Sequence, residues 1–209
     1  MERHTVARRA EELQRLATEA AGCTRCDLYI SATQTVWGEG DPNAAIMIVG
    51  QGPGETEDQI GRPFVGPAGK MLDRALEEAG LDRGQLYLTN IVKHWATAIE
   101  RGRKVNRAPR ASEVRACRAW LDAELAIVQP RVIVALGAPA AQALIDRDFK
   151  ITRDRGIWRT GPNDTPTIAS FHPSYLLRLQ ASNREAYAHA WAALVADLRA
   201  AKAALCVGS

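Results

Sequence analysis

Short apolar runs alternate with amphipathic stretches along most of this chain. Runs rich in aliphatic and β-branched residues predict strands at 44–50, 85–92, 131–137 and 165–171. Helical patterns precede, separate and follow these runs, and they predict helices at 5–21, 68–79, 112–128 (with Ser112 as N-cap), 138–147 and 184–204. Strands that alternate with helices indicate an α/β fold with a mostly parallel sheet covered on both faces.

An unusual sequence follows each predicted strand. These sequences are GQGPGETED after the first strand, KHW and a basic run after the second, GAPA after the third and HPSYLLR after the fourth. In a sheet of this kind, ligands bind beyond the carboxyl ends of the strands. We therefore expect a functional site at that edge of the sheet.

The glycine-rich segment after the first strand does not match a nucleotide-phosphate loop. It contains no G-x-x-x-x-G-K-[ST], and Gly50, Gly52 and Gly54 are not spaced as G-x-G-x-x-G. Glycines combined with prolines let a stiff backbone approach a ligand closely. The segment is therefore interpreted as a pocket wall, with an irregular surface connection as the alternative.

Composition limits the classes of protein that remain. A chain of 209 residues with 46% hydrophobic residues suits one globular domain. It has no apolar run of about 18 residues, and its N-terminal sequence MERHTVARRAEELQ is charged where a signal peptide would be apolar. We expect a cytoplasmic protein with no membrane partner. The net charge of +3 is small, but basic residues cluster at Arg101, Arg103, Lys104, Arg107 and Arg110. This run indicates either contacts with nucleic-acid phosphates or a solvated surface.

The cysteines raise the question of a metal. In a cytosolic chain, cysteines more often bind metals or react with oxidants than form disulfides. Cys23 and Cys26 form a C-x-x-C pair after the first predicted helix, and Cys117 and His94 could complete a ligand set. The alternative has Cys117 as a small buried apolar residue and His94 as a hydrogen-bonded polar residue. Cys206 is the remaining thiol.

Taken together, the motifs resemble the iron-sulfur branch of the uracil-DNA glycosylase superfamily, which comprises family 4 and the related UdgX proteins. The matching pieces are GCTRC, GQGPGETED, GRPFVGPAG, LTNIVKHW, ACRAWL, VIVALG and HPSYLL, in family order from about residue 20 to residue 200. The resemblance implies a three-layer α/β/α sandwich around a four-stranded parallel sheet. It also implies hydrolysis of the N-glycosidic bond of uracil in DNA, the first step of base excision repair.

The resemblance assigns a 4Fe-4S cluster and its ligands. The ligand positions of family 4 correspond to Cys23, Cys26, His94 and Cys117, where histidine replaces the usual third cysteine. Imidazole can replace a thiolate on iron, as Rieske centres show. Whether His94 or Cys206 is the fourth ligand stays open. The cluster is expected to hold the N-terminal segment and the basic run in place, because glycosidic hydrolysis needs no electron transfer.

The resemblance also assigns the base pocket. Phe64 is expected to stack on the uracil ring, with Gly52 in the same pocket, and Asn90 is expected to pair with uracil. An amide can donate to O4 and accept from N3–H, a pattern that cytosine does not match. His172 is expected to stabilise negative charge on O2 of the departing base. The alternatives are a core phenylalanine, a turn-capping asparagine and a structural histidine.

Two positions depart from the family pattern. Gln51 stands where relatives usually have glutamate, and Asn106 stands where UdgX proteins have the histidine that bonds covalently to deoxyribose. Gln51, Asn106 and His172 form the predicted catalytic set. In this set Gln51 orients water, and Asn106 occupies the position of the UdgX nucleophile without bonding covalently to DNA. The residues expected to contact DNA are Arg101, Arg103, Lys104, Arg107, Ser174, Tyr175, Leu176 and Arg178.

The sequence therefore predicts a monofunctional, monomeric uracil-DNA glycosylase. We expect one domain over residues 1–209, in which 1–43 form an N-terminal helix and cluster-binding segment. The alternatives are a UdgX-like protein that captures uracil-DNA covalently and an inactive iron-sulfur DNA-binding module. The sequence leaves open the preference for single- or double-stranded DNA and the activity on other deaminated bases.

Overall fold

A central sheet organises the part of the chain that the structure describes, residues 2–206 of this computed structural model. The strands are β1 (Glu39–Gly40), β2 (Ile46–Gly50), β3 (Leu86–Asn90), β4 (Thr97–Glu100), β5 (Arg103–Asn106), β6 (Val132–Leu136), β7 (Arg159–Thr160) and β8 (Pro166–Ser170). The helices are α1 (Glu2–Ala20), α2 (Leu28–Ser31), α3 (Glu55–Ile60), α4 (Pro67–Ala79), α5 (Ala111–Val128), α6 (Ala138–Leu144), α7 (Ile151–Asp154), α8 (Pro173–Ser182) and α9 (Arg184–Ala204).

The sheet is larger than the predicted one. Its strand order is β1-β3-β2-β6-β8-β7, and the four predicted strands form its parallel centre. The expectation of a four-stranded sheet was wrong because short antiparallel strands, β1 and β7, extend both edges. Each of these strands has two residues, which is too short for a period-two pattern to stand out in the sequence.

Residue alternation along β2 explains the three layers. Met47 and Val49 face a core shared with α1, α5 and α6, whereas Ile46 and Ile48 face a second core shared with α4, α8 and α9. Successive side chains of a strand point to opposite faces, so an uninterrupted apolar run fits a strand covered on both sides. The α/β sandwich predicted from the sequence is confirmed.

The long predicted helices are present, but one predicted cap was wrong. Helix α5 begins at Ala111, so Ser112 lies inside its first turn. The Arg110 N–H is instead satisfied by the carboxylate of Glu113, at 2.6 Å. A carboxylate three positions into a helix can reach back to the N-cap amide, and this contact fixes the start of α5.

The parallel strands all end at the same edge of the sheet. Gly50, Asn90, Leu136 and Ser170 close β2, β3, β6 and β8, and the chain leaves each of them for the region that forms the candidate site. In residues 2–206, no helix is both long enough and apolar enough to cross a membrane.

Candidate active site

A cavity of about 720 Å³ lies beyond the carboxyl ends of the parallel strands. Its lining includes most of the predicted site: Gln51, Gly52, Phe64, Asn90, Asn106, Arg107, His172, Ser174, Tyr175 and Arg178. Residues far apart in sequence meet here because each follows or closes a strand that ends at this edge. The cavity is large enough for a nucleobase with part of its sugar.

Phe64 forms one wall of the cavity in an uncommon backbone conformation. Its φ angle is 54°, a region that aromatic residues rarely occupy, and its side chain is 5% exposed. A Cβ on Gly50 would lie 2.5 Å from the Phe64 ring, so only glycine leaves room for the ring beside the end of β2. The ring is thereby held at the cavity, where its face is available for stacking.

Asn90 closes β3 and presents an unsatisfied acceptor. The residue is 3% exposed, and its Oδ1 atom is buried without a hydrogen-bond partner among the described residues. Burying an unpaired amide oxygen costs about 1–3 kcal/mol. Because Asn90 also lines the cavity, a ligand that offers a hydrogen-bond donor would recover this cost.

His172 has a defined tautomer. Its Nδ1 atom accepts a hydrogen bond from the Ser174 N–H at 3.1 Å and lies 2.8 Å from the Ser174 hydroxyl. An amide N–H can only donate, so Nδ1 carries no proton and the neutral ring carries its proton on Nε2. Burial, helped by the positive charge of Arg178, lowers the pKa of His172 to about 4. The side chain is therefore a neutral donor near physiological pH.

Gln51 follows β2 and is fixed by the basic segment. Its Nε2 atom donates to the carbonyl oxygen of Arg107, at 3.2 Å. Since the amide nitrogen is used in this bond, Oε1 remains as the free acceptor of the side chain. A glutamate at this position would have no N–H for the Arg107 carbonyl, so the amide fits this chain where a carboxylate would not.

Asn106 is oriented by Trp95. The indole Nε1–H of Trp95 donates to Asn106 Oδ1, so the Asn106 NH2 group is the end left free. A Cβ on Gly54 would lie 3.9 Å from Asn106 Nδ2, which places that nitrogen beside the glycine-rich segment. The position is occupied by a hydrogen-bond donor that has no nucleophilic lone pair.

The predicted basic loop is an antiparallel hairpin, β4–β5, whose tip is Arg101–Gly102. Both tip residues have positive φ, at 49° and 75°, as tight hairpin turns require. Arg101, Arg103 and Lys104 are exposed, although Lys104 Nζ also donates to the Ser31 carbonyl at 2.6 Å. These three cations are placed where a DNA backbone could reach them.

Arg107 does not share this placement. Its guanidinium makes two hydrogen bonds to the Glu113 carboxylate, at 2.8 and 2.6 Å, and a third to the Thr97 carbonyl. This pairing raises the pKa of Arg107 and lowers the pKa of Glu113. Its donors therefore join the hairpin to α5, and the contact with phosphate stays a prediction.

The HPSYLLR sequence after the fourth predicted strand forms the N-cap and the first turns of a helix, α8. Ser174 and Tyr175 line the cavity together with the exposed Arg178. Leu176 is completely buried in the core beneath α4, α8 and α9, so the prediction that it contacts DNA was wrong. Helical periodicity turns Leu176 inward and leaves Leu177, which the site prediction omitted, at the cavity.

Of the predicted metal ligands, Cys23 and Cys26 pack against the core cluster that contains Cys117. The Trp120 indole N–H donates to Cys23 Sγ at 3.2 Å, and the Lys93 N–H donates to Cys117 Sγ at 3.3 Å. Burial is the main cause that raises the pKa of Cys26 and of Cys117, which reaches about 11; Cys23 adds to the rise at Cys26, and both Cys23 and Cys26 add to the rise at Cys117. His94 follows Lys93, is 6% exposed, and has a pKa lowered by burial.

The predicted ligands are not grouped around a site for a single ion. Within residues 2–206, no three cysteine, histidine or acidic side chains are close enough to hold one metal ion. Each iron of a 4Fe-4S cluster takes its own protein ligand, so its ligands stand farther apart than those of one ion. N–H donors to two of the sulfurs are also typical of such clusters. Cys206 is exposed, just beyond the end of α9.

Glu57 also belongs to the site through its backbone contacts. Its carboxylate is buried and accepts hydrogen bonds from three backbone amides of the cavity wall, those of Gly54, Val65 and Gly66. Its neighbour Asp58 instead accepts from the Thr33 N–H at 2.9 and 3.0 Å. The signal in the sequence was a pair of acids in a glycine-rich segment, which does not reveal which amides they bind.

Comparison with known proteins gives a consistent result. Residues 37–195 match the model of the uracil DNA glycosylase superfamily. The chain is 43% identical over 173 residues to the type-4 uracil-DNA glycosylase of Thermotoga maritima, covering 80% of this chain and 85% of that protein. It is 38% identical to the type-4 enzyme of Archaeoglobus fulgidus, covering 80% and 84%, and 34% identical to the type-5 enzyme of Thermus thermophilus, covering 66% and 68%.

Proposed function

The chain belongs to the uracil DNA glycosylase superfamily, and from that premise we propose that it is a uracil-DNA glycosylase of base excision repair. In this proposal it is a monofunctional, monomeric hydrolase that cleaves the bond between uracil and deoxyribose and leaves an abasic site. The observation that carries the proposal is the buried Asn90 Oδ1, which has no partner among the described residues and belongs to a cavity shared with Phe64 and His172.

The base is recognised by complementary donors and acceptors. Asn90 Oδ1 accepts from uracil N3–H, and the amide nitrogen of the same side chain donates to O4. Cytosine presents a lone pair at N3 and an amino group at C4, so both contacts would be lost. Phe64 stacks on the ring, and the close backbone approach at Gly52 leaves the base little room to shift.

The tautomer of His172 allows it to assist cleavage of the glycosidic bond. As the glycosidic bond breaks, negative charge develops on the departing base, chiefly at O2. The Nε2–H of His172 donates to that oxygen and needs no proton transfer, because the ring is already a neutral donor. One oriented donor of this kind contributes about 3–4 kcal/mol to transition-state stabilisation.

Gln51 faces the attacking water, and Asn106 faces the sugar. Gln51 Oε1 accepts a hydrogen bond from the attacking water. Because the reaction is highly dissociative, little base strength is needed, and the proton that the water loses on bonding to C1′ goes to the departing uracil anion and not to the amide. Asn106 directs its NH2 group to the substrate and offers no atom that bonds to C1′. We therefore propose turnover without covalent capture of DNA.

The substrate is uracil-containing DNA that is single-stranded or has its uracil rotated out of the duplex. Arg101, Arg103 and Lys104 bind phosphates from the hairpin, while Ser174, Tyr175 and Arg178 contact the strand from the start of α8. Burial of Leu176 leaves Leu177 as the apolar residue of that helix at the cavity.

We further propose that Cys23, Cys26, His94 and Cys117 hold a 4Fe-4S cluster. The proposal is supported by three sulfur donors that share one core cluster, by N–H groups directed at two of the sulfurs, and by the lowered pKa of His94, which favours a neutral imidazole. When bound, the cluster supplies a structural cross-link. It joins residues 1–43 to the chain after β3 and to α5, within a single domain over residues 1–209.

Base specificity tests this function. Holoprotein is incubated with single- and double-stranded oligonucleotides that differ only in one base: uracil, cytosine, thymine, hypoxanthine or xanthine. Alkali-sensitive sites are expected with uracil and not with cytosine or thymine. Absence of cleavage at uracil in both kinds of strand, in protein that carries iron, would overturn the proposal.

A further inference from the structure

Phe64 requires an external support. Its positive φ of 54° is unfavourable for an aromatic residue, and the preceding Pro63 does not impose it. Without other contacts, the backbone would relax to a negative φ and the ring would leave the cavity. The segment around Phe64 must therefore be held by contacts from elsewhere.

The carboxylate of Glu57 provides such a support. Oε1 accepts from the Val65 N–H at 3.1 Å and from the Gly66 N–H at 2.8 Å, while Oε2 accepts from the Gly54 N–H at 3.2 Å. One side chain thus joins the two halves of the glycine-rich segment, before α3 and after Phe64. These amides begin helices or precede them, so they have no helical acceptor of their own.

The surroundings leave this carboxylate no alternative arrangement. Glu57 is 8% exposed, and a Cβ on Gly54 or Gly66 would lie only 2.9 or 3.0 Å from its oxygens. A Cβ on Gly69 would overlap the Phe64 carbonyl oxygen, so α4 packs directly on the Phe64 backbone. The start of α4 also favours negative charge at this place. The glycines of this segment therefore leave room for the Glu57 side chain as well as for the base.

We infer that Glu57 is a positioning residue for uracil recognition, which acts by holding Phe64 in its stacking conformation. The inference rests on the proposed function and adds a determinant to the same pocket. Glu57 is not a catalytic residue, since all three of its contacts are with backbone amides of its own chain.

Glu57→Gln removes the negative charge of the carboxylate but keeps the shape of the side chain. In Glu57→Gln, the single amide oxygen keeps Val65 and Gly66 as donors, but its NH2 group then faces the Gly54 N–H. The mutant is expected to lose roughly 10- to 100-fold in kcat/KM on uracil-containing single strands, mainly through KM, since one base stack is the interaction lost. Its affinity for DNA with an abasic-site analogue, which has no base to stack, is expected to stay within about twofold.

A double-mutant cycle distinguishes positioning from general stabilisation. Phe64→Leu is measured alone and with Glu57→Gln. If Glu57 acts through Phe64, the double mutant loses no more than about twice what the worse single mutant loses. If the two fold-losses multiply, or if abasic-analogue DNA is bound as poorly as uracil DNA, the inference is wrong.

Asp58→Asn is the matched control. Asp58 is an equally buried acid on the same helix, but its carboxylate binds the Thr33 N–H and not the cavity wall. It is expected to lower the melting temperature without changing KM, and iron content is measured for every variant. Should Glu57→Gln fail to fold, Glu57→Asp replaces it, since its shorter side chain keeps the charge but cannot reach all three amides.

Free uracil binding keeps this result separate from the proposed function. Calorimetric titration with uracil is expected to show weaker binding to Glu57→Gln than to the wild type, and it needs no turnover. A wild-type protein that bound uracil but cleaved no DNA would overturn the proposed function. The comparison of uracil affinities would still test the role of Glu57. Equal uracil affinity in both proteins would overturn the Glu57 inference.

Discussion

The ring of Phe64 lies 6.3 Å from the ring of His172, and the two planes are tilted by 31°. The proposed stacking wall and the proposed donor to the leaving group therefore belong to one cavity, although Phe64 and His172 are far apart in the sequence. Each is fixed by backbone amides: Phe64 through Glu57, and His172 through Ser174. The reactive geometry is built into the protein before DNA binds.

Removal of the His172 ring tests its role in leaving-group stabilisation. In His172→Asn, the shorter amide can still accept from the start of α8, but it cannot reach the position of Nε2. We expect kcat to fall about 10²- to 10³-fold with little change in DNA affinity. Ser174→Ala keeps the backbone N–H and is the control, for which kcat is expected to fall less than about threefold.

The lowered pKa of His172 makes a prediction about stability. The folded state prefers the neutral ring, so the unfolded chain binds more protons between about pH 4 and pH 6.5. The stabilisation is fully present above pH 6.5 and is lost as the pH falls towards 4. We expect wild type to lose up to about 3 kcal/mol more than His172→Asn across this window, measured by urea unfolding. Parallel curves for the two proteins would contradict the assignment.

Base recognition by Asn90 is tested by a substitution that keeps its shape. Asn90→Asp retains an acceptor for N3–H but places a second acceptor against O4, where the two oxygens repel. We expect kcat/KM on uracil to fall at least about 100-fold, because a buried polar mismatch is costly. The control is Asn163→Asp, which makes the same charge change in the turn before β8, at the opposite edge of the sheet. Equal activity of Asn90→Asp and wild type would exclude this contact.

Phosphate binding by the hairpin predicts a change in salt dependence. Arg103→Gln removes one exposed cation, and we expect KM to rise, kcat to stay constant and the slope of log affinity against log salt to fall by about 0.7 on single strands. Arg107→Gln is expected to behave differently, since its guanidinium binds Glu113. It should lower the melting temperature and change the slope little. A slope change of similar size in both variants would show that Arg107 also contacts phosphate.

The sequence predicted the parts of the fold that depend on local periodicity. The central strands and the long helices carry continuous apolar patterns, so their positions were predicted closely. The hairpin β4–β5 was missed because its side chains are largely exposed and show no apolar period. Helix α8 was not among the predicted helices, although the inward-facing Leu176 fits the helical burial that is observed.

The sequence predicted which residues belong to the site better than it predicted the contacts of those residues. Motif resemblance identified Phe64, Asn90 and His172, and the fold brings them into one cavity. Hydrogen bonds between distant residues could not be predicted, because a sequence does not show which donor faces which acceptor. Arg107 is the clearest example, since it belongs to a basic run by sequence but to an ion pair with Glu113 in the structure.

Turnover on uracil-containing DNA is the most direct test of the account. Holoprotein is incubated with about a tenfold excess of labelled uracil-containing oligonucleotide. Each sample is then divided between alkaline cleavage and a denaturing protein gel. The account predicts abasic product in several-fold excess over protein and no shifted protein band, since Asn106 presents an amide donor. Product that stops at one equivalent, together with a protein band shifted by bound DNA, would contradict it.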